Sequence, residues 1–237
     1  MSSISPKDRI IFALDVSSVN EAARFTALLK DHVGMFKVGL ELFVAAGPAI
    51  IKAVRENGGR GIFLDLKFHD IPETVKGAMR SASTLGADLV TVHTSDGQAM
   101  MKAAVEAAGA SRVLGVTVLT SLSADAFPEA GIDKNFTPAS LVLHRAKSAK
   151  EAGCAGIVCS GQEARAIRDE YGPDFLIVTP GVRLADDAIG DQKRVVTPFE
   201  AVKNGADYIV VGRPIRKAAD PIEAAKRIAG EIEKAVR

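Results

Sequence analysis

The sequence has few of the features that would indicate disulfides or a structural metal. Two cysteines, Cys154 and Cys159, occur among its 237 residues, and no cluster of His or Cys accompanies them at a zinc-ligand spacing. Of the four histidines, His32 and His144 fall in helical stretches, and His69 and His93 could line a pocket but have no Glu or His at a usable spacing beside them. We therefore predict two buried free thiols and no metal site.

Long apolar runs and blocks of like charge are also missing. No segment approaches the roughly 20 apolar residues of a membrane helix, and residues 1–7 lack the apolar stretch of a signal peptide. The formal net charge is +1 and no basic run occurs, so nothing indicates a nucleic-acid surface. We expect a soluble, cytoplasmic protein with no membrane or nucleic-acid partner.

What the chain does contain is a regular alternation of short apolar runs with amphipathic segments. Strands are predicted at 9–16, 35–40, from 61 onward, 88–93, 112–119, 156–159, 175–178 and 207–211. Helices are predicted at 19–30, 41–57, 72–85, 97–108, 138–152, 162–171, 198–204 and 220–236. Eight strand–helix units without a linker predict an α/β fold, a single-domain (β/α)8 TIM barrel over residues 1–237.

Three charged residues, Asp65, Lys67 and Asp70, follow the apolar run at 61–64 and precede a helix start at Pro72. Residues two apart on a strand face the same side, so Asp65 and Lys67 should project together. They could be a simple ion pair, and Asp70 could cap the next helix. Two carboxylates and a lysine at one strand end nevertheless favour a functional site.

Sites in (β/α)8 barrels lie at the C-terminal ends of the strands. The polar or turn-forming residues predicted there are Asp15, Lys37, Asp65, Lys67, His93, Thr120, residues 180–183, Gly212 and Arg213. Gly212 and Arg213 suit a phosphate, since glycine permits close backbone approach and arginine binds phosphate oxygens with two donors. The polar loop at 180–197 is long enough for a lid or binding loop, or it is a plain surface loop.

Several motifs, in this order along the chain, resemble the orotidine 5′-phosphate decarboxylase family. They are Leu14-Asp15-Val16, Phe36-Lys37-Val38-Gly39, Asp65 to Thr74, Leu119-Thr120-Ser121, Pro180-Gly181-Val182-Arg183, Asp191-Gln192-Lys193-Arg194 and Val211-Gly212-Arg213-Pro214. The Asp-x-Lys-x-x-Asp core is shared with related sugar-phosphate barrels. The Phe-His-Asp-Ile-Pro and Asp-Gln-Lys-Arg segments make the resemblance more specific.

The resemblance implies loss of CO2 from C6 of orotidine 5′-phosphate to give UMP in pyrimidine biosynthesis, without metal or organic cofactor. Lys67 would protonate C6, Asp65 and Asp70 would surround it, and Lys37 would complete an alternating array of charges. Because Asp70 and Thr74 of that family enter the neighbouring subunit's site, the resemblance also implies a homodimer with shared sites.

The resemblance further implies a set of contacts to the substrate. Ribose hydroxyls would be held by Asp15, Lys37 and Thr74, and the pyrimidine would lie against Thr120, with Ser123 as a second candidate. Phosphate would be bound by Arg213, Gln192 and the Gly212 backbone. Arg183 would anchor the lid.

Three other functions are compatible with this barrel. The nearest is a metal-dependent decarboxylase or aldolase acting on a keto-sugar phosphate through the same Asp-x-Lys-x-x-Asp core. A Schiff-base aldolase is disfavoured because a lysine flanked by carboxylates stays charged and is a poor nucleophile. A non-catalytic phosphate-binding barrel would not need a buried charge array, which is costly to maintain.

Overall fold

The structure, a computed structural model, describes residues 4–184 and 195–237. Eight parallel strands close into a barrel in chain order, β1 next to β2 and β8 next to β1. The strands are β1 (Ile10–Ala13), β2 (Met35–Gly39), β3 (Gly61–Phe68), β4 (Leu89–His93), β5 (Arg112–Val116), β6 (Gly156–Val158), β7 (Leu176–Thr179) and β8 (Tyr208–Val211). The predicted (β/α)8 TIM barrel is confirmed.

Helices surround the barrel and connect successive strands. They are α1 (Val19–Leu29), α2 (Leu40–Ala46), α3 (Ala49–Glu56), α4 (Pro72–Thr84), α5 (Gln98–Ala107), α6 (Pro138–Glu151), α7 (Ala164–Tyr171), α8 (Pro198–Lys203), α9 (Arg213–Arg216) and α10 (Pro221–Val236). Short 3-10 turns occupy Lys7–Arg9 and Ala124–Ala126. None of the helices in these described ranges is long and apolar enough to cross a membrane.

The helix predicted at 41–57 is wrong, because the structure has two helices there. Gly47 follows α2 with φ +62°, a left-handed conformation that ends a helix and that glycine adopts without strain. Pro48 comes next and has no N–H to continue the hydrogen-bond ladder. The chain therefore turns before α3 begins.

Two strands end several residues before their predicted ends. β1 ends at Ala13 and β5 at Val116, each three residues before its predicted end. The residues that follow leave the strand ladder and line the cavity described below, among them Asp15 and Val118. The apolar pattern continues past the ladder because these residues remain close to the barrel.

Apolar side chains fill the barrel and the layer between the barrel and its helices. The interior holds Ile11, Ala13, Met35, Phe63, Leu89, Leu114, Val178 and Val210, so the barrel is a packed core rather than a pore. Both cysteines are free and buried, as predicted, and burial raises the pKa of Cys154 to about 12. A thiol with so high a pKa is protonated and unreactive.

Candidate active site

The interior positions of the first three strands lead to charged residues at the mouth of the barrel. Side chains on a strand alternate, so an interior apolar residue is followed two positions later by a residue that also faces inward. By this spacing Ala13 is followed by Asp15, Met35 by Lys37 and Phe63 by Asp65. The apolar core therefore ends in a layer of charge.

These residues and Lys67 form one continuous chain of ion pairs. Lys37 Nζ lies 3.0 Å from Asp15 Oδ1 and 3.7 Å from Asp65 Oδ2. Lys67 Nζ donates to both oxygens of Asp65 at 2.9 Å. Only 12–13% of the Lys37 and Asp65 side chains is exposed, against 30% for Lys67 and 49% for Asp15. We name Asp15, Lys37, Asp65 and Lys67 the charged array.

Lys67 reaches Asp65 through an irregular backbone rather than through strand alternation. It is the one non-glycine residue with positive φ, +51°, in the described ranges. The pairing of β3 with β4 steps from Leu64 opposite Val90 to Phe68 opposite Val92, which is a bulge on β3. Such a conformation in a lysine is uncommon and is characteristic of functional sites.

Thr91 on β4 holds this bulge in place and was not singled out from the sequence. Its hydroxyl accepts from the backbone N–H of Lys67 at 2.9 Å and donates to Asp65 Oδ1 at 3.0 Å. The side chain is fully buried. The sequence does place this polar residue on an inward-facing position, two residues after Leu89, in a run that is otherwise apolar. That position could have marked Thr91 as a site residue.

Gly39 is a second residue whose part the sequence did not reveal. A Cβ at this position would lie 2.8 Å from Lys37 Nζ and 3.7 Å from Asp15 Oδ1. The absence of a side chain therefore leaves room for the ammonium of Lys37 between its two carboxylates.

The opposite side of the mouth carries arginines. A cavity of about 410 Å³ lies over the charged array and is also lined by Thr120, Arg183, Gly212, Arg213 and Arg216. Gly212 packs closely on β1, because an added Cβ would lie 3.3 Å from both Ala13 Cβ and Asp15 Oδ2. The predicted residues Asp15, Lys37, Asp65, Lys67, Thr120, Arg183, Gly212 and Arg213 thus meet at one cavity.

Three predicted site residues lie outside this cavity as the described residues form it. Asp70 and Thr74 are exposed, and Ser123 lies directly before the 3-10 turn Ala124–Ala126. Asp70 does not cap α4, whose N-cap is Ile71; its Oδ1 accepts from the Ile71 N–H at 2.6 Å. Gln192 lies outside the described residues.

The loop after β7 is held together near both of its ends. Val182 pairs with Val196 in an isolated parallel bridge, and the Arg183 N–H donates to the Val196 carbonyl at 3.1 Å. Arg183 Nη1 also donates to the Val182 carbonyl at 2.8 Å. Most of the predicted lid, residues 185–194, lies outside the described residues.

A pair of histidines borders the array. The ring of His93, at the end of β4, lies 5.2 Å from the ring of His69, which contacts Asp96. Burial lowers the pKa of His93, with the positive charges of His69, Lys67 and Arg145 acting in the same direction and Asp65 opposing them. His93 therefore favours its neutral form. Across residues 4–184 and 195–237 no three His, Cys, Asp or Glu side chains are grouped as metal ligands.

Fold and site together define a (β/α)8-barrel enzyme with its site at the C-terminal ends of the strands. The family model described as "Orotidine 5'-phosphate decarboxylase / HUMPS family" matches residues 8–228. The chain belongs to this family.

Individual proteins agree with the family match. The chain is 51% identical to the orotidine 5′-phosphate decarboxylase of Desulfosudis oleivorans, over 98% of this chain and 96% of that protein. It is 50% identical to the enzyme of Moorella thermoacetica, with 96% and 93% covered. The crystal structure of orotidine 5′-phosphate decarboxylase from Lactobacillus acidophilus matches with a TM-score of 0.82 and 37% identity, over 94% of this chain and 98% of that one. The resemblance inferred from the motifs is confirmed.

Proposed function

We propose that this protein is a carboxy-lyase that converts orotidine 5′-phosphate to UMP and CO2 in pyrimidine biosynthesis, with Lys67 as the proton donor to C6. The observation that carries the mechanism is the bidentate contact of Lys67 Nζ with Asp65 at 2.9 Å, at the floor of the cavity. Family membership and relatives about 50% identical support the reaction.

The chemistry requires a fixed positive charge and a proton at one ring carbon. Breaking the C6–carboxylate bond leaves an electron pair on C6, and no adjacent carbonyl delocalises it. An ammonium placed there stabilises the developing carbanion and then transfers a proton to it, so that UMP carries hydrogen where CO2 was lost. The neutral amine of Lys67 then regains a proton from solvent.

The charged array suits this task because it is positioned by the protein alone. Asp65 binds Lys67 through both oxygens, Thr91 holds Asp65, and Lys37 lies 3.7 Å from the same carboxylate. A group held in its working position avoids the loss of orientational freedom during the reaction. Repulsion between Asp65 and the substrate carboxylate would add ground-state strain, as part of the same hypothesis.

Substrate contacts follow from the lining of the cavity. Asp15 and Lys37 would hold ribose hydroxyls, Thr120 would lie against the pyrimidine, and Arg213 with the Gly212 N–H would bind phosphate. Arg183 and Gln192 belong to the loop that would cover the phosphate. Binding energy from the phosphate, far from C6, would then help to assemble the site for decarboxylation.

A homodimer with shared sites is part of the proposal. Asp70 and Thr74 are exposed and outside their own cavity, which is compatible with their reaching the site of a second subunit. Apolar side chains lie exposed nearby in the chain, after β2 and β3: Leu40 (56%), Val44 (80%) and Ile71 (68%). An exposed apolar group of this kind favours an interface. Sedimentation of the purified protein tests this, and a monomer at micromolar concentration would contradict it.

A cytoplasmic location is proposed with the reaction. Its substrate carries several negative charges and does not cross an apolar bilayer, so the enzyme has to share the compartment in which that substrate forms.

The test of function is the absorbance change of orotidine 5′-phosphate with purified protein in excess chelator. We expect conversion to UMP at the same rate with and without chelator, which would support both the reaction and its independence from metal. Failure to convert it, with activity on a keto-sugar phosphate restored by Mg²⁺, would assign the protein to the metal-dependent alternative and Asp65 to metal binding.

A further inference from the structure

Among the described residues that line the cavity, one cation has no part assigned to it by the motifs or by the mechanism. Five cationic side chains line it with two carboxylates, Asp15 and Asp65; the cations are Lys37, Lys67, Arg183, Arg213 and Arg216. The first four have roles in the proposed function. Arg216, at the end of α9, has none.

Within residues 4–184 and 195–237, the guanidinium of Arg216 has no protein partner. Its Nε is buried and makes no hydrogen bond, and its side chain forms no ion pair with any residue in the described part of the chain. A buried N–H without an acceptor destabilises a protein, so such a group calls for an explanation. The described residues supply no acceptor for this donor.

Arg168 shows what a structural arginine looks like in this protein. It donates to the carbonyls of Gly172, Phe175 and Gly205 and pairs with Asp207 at 2.7 Å. The protein thus supplies acceptors for Arg168, whereas no described residue accepts from Arg216 Nε, although both side chains are partly buried. This contrast argues that Arg216 is not present merely to join α9 to the barrel.

Arg216 lies three residues after Arg213, and residues three apart on a helix are neighbours on one side of it. Both arginines line the same cavity. A guanidinium presents pairs of N–H groups in a fork that matches two oxygens of a phosphate. We propose that Arg216 is a second phosphate-binding arginine, which binds the phosphate dianion of the substrate beside Arg213.

Charge balance supports the same assignment, which rests on the proposed function. Orotidine 5′-phosphate carries about three negative charges at neutral pH, one from its carboxylate and up to two from its phosphate. As the described residues form it, the cavity lining has five positive and two negative side chains, an excess of three positive charges. Without Arg216 the lining would be one charge short of the substrate.

The test compares a ligand that has the phosphate with one that lacks it. For Arg216→Gln we expect the inhibition constant of UMP to rise at least about tenfold, as for loss of a hydrogen bond to a charged group. The inhibition constant of uridine should stay unchanged. Lys217→Gln, which removes an exposed charge one residue away and outside the cavity, serves as the control and should alter neither constant.

Two results would overturn the assignment: unchanged inhibition by UMP in Arg216→Gln, or an equal loss for UMP and uridine, which would indicate a structural role. If Arg216→Gln does not fold, Arg216→Lys keeps the charge without the fork. Arg216→Lys should raise the inhibition constant of UMP, by less than Arg216→Gln would, and should leave that of uridine unchanged. Wild-type turnover of orotidine 5′-phosphate tests the proposed function separately, so the two failures are distinguishable.

Discussion

The two sides of the barrel mouth differ in the arrangement of their charges. On the side of β1 to β4 the charges are paired with one another, in the order Asp15, Lys37, Asp65 and Lys67. On the side of β7 and β8 the described lining contributes three arginines and no carboxylate. The first side is assembled before any ligand arrives, whereas the second is suited to an anion supplied by the ligand. In the proposed function, reaction and anchoring are thus separated in space.

The largest expected effect is on kcat and comes from substitution of Lys67 in the charged array. Lys67→Ala should lower kcat by at least about a thousandfold, because a positioned proton donor and its charge are both lost. Inhibition by UMP should be largely retained, since the arginine side is intact. Steady-state kinetics with a UMP titration measures both. Lys52→Ala, at a lysine that is 79% exposed, is the matched control; near-normal turnover in Lys67→Ala would exclude the role of proton donor.

A smaller effect, of a different kind, is expected on the arginine side. Arg213→Ala should raise KM by about 10- to 100-fold, the usual value of a hydrogen bond to a charged group. Substrate saturation curves measure it, with Arg80→Ala on α4, exposed and outside the cavity, as the control. An unchanged KM would contradict phosphate binding at Arg213.

A third prediction concerns Thr91, whose hydroxyl holds the bulge on β3 beside the charged array. Thr91→Val leaves the Lys67 N–H without its acceptor and Asp65 without one donor. We expect kcat to fall about tenfold with little change in KM, as for loss of a buried hydrogen bond. Thr91→Ser should restore most of the activity. Thr26→Val, which removes a buried hydroxyl from α1, should leave kcat unchanged; a similar fall in both Val variants would point to a general packing effect.

The smallest effect concerns pH. The pKa of His93 lies below its usual 6.5 in the folded protein, so the unfolded chain takes up this proton more readily. His93 therefore contributes stability that is present above pH 6.5 and lost as the pH falls below that value. Denaturant unfolding at pH 7.5 and 5.5 measures the free energy of unfolding, which should fall less on acidification in His93→Gln than in wild type. An equal loss in both proteins would remove His93 from this pH dependence.

Fold prediction from the sequence succeeded because each strand and helix carries its own periodic pattern. The one clear error, a single helix at 41–57, arose because the apolar spacing runs on across Gly47 and Pro48 while the backbone cannot. Local turn chemistry was the better guide there. The boundaries of β1 and β5 were missed for a related reason, since residues beyond the ladder stay apolar.

Site prediction was limited by contacts between distant segments. Asp15, Lys37, Asp65 and Lys67 were recognisable as charges at strand ends, and the barrel brings them together. Thr91 and Arg216 were not recognisable, because a buried hydroxyl on a strand and an arginine on a short helix carry no distinctive pattern. Thr91 is set apart by the bulge on β3, and Arg216 by the lack of a partner among the residues that the structure describes.

The packed barrel interior has a consequence for how the substrate enters the cavity and how the products leave it. Residues such as Ile11, Phe63 and Leu114 close the barrel beneath the charged array and leave no passage through it. Everything that enters must therefore leave by the same opening. If decarboxylation occurs under a covered phosphate, the small uncharged gas can escape past the nucleotide, while UMP has to wait for the cover to open. Departure of CO2 first and of UMP second is then the natural order of product release.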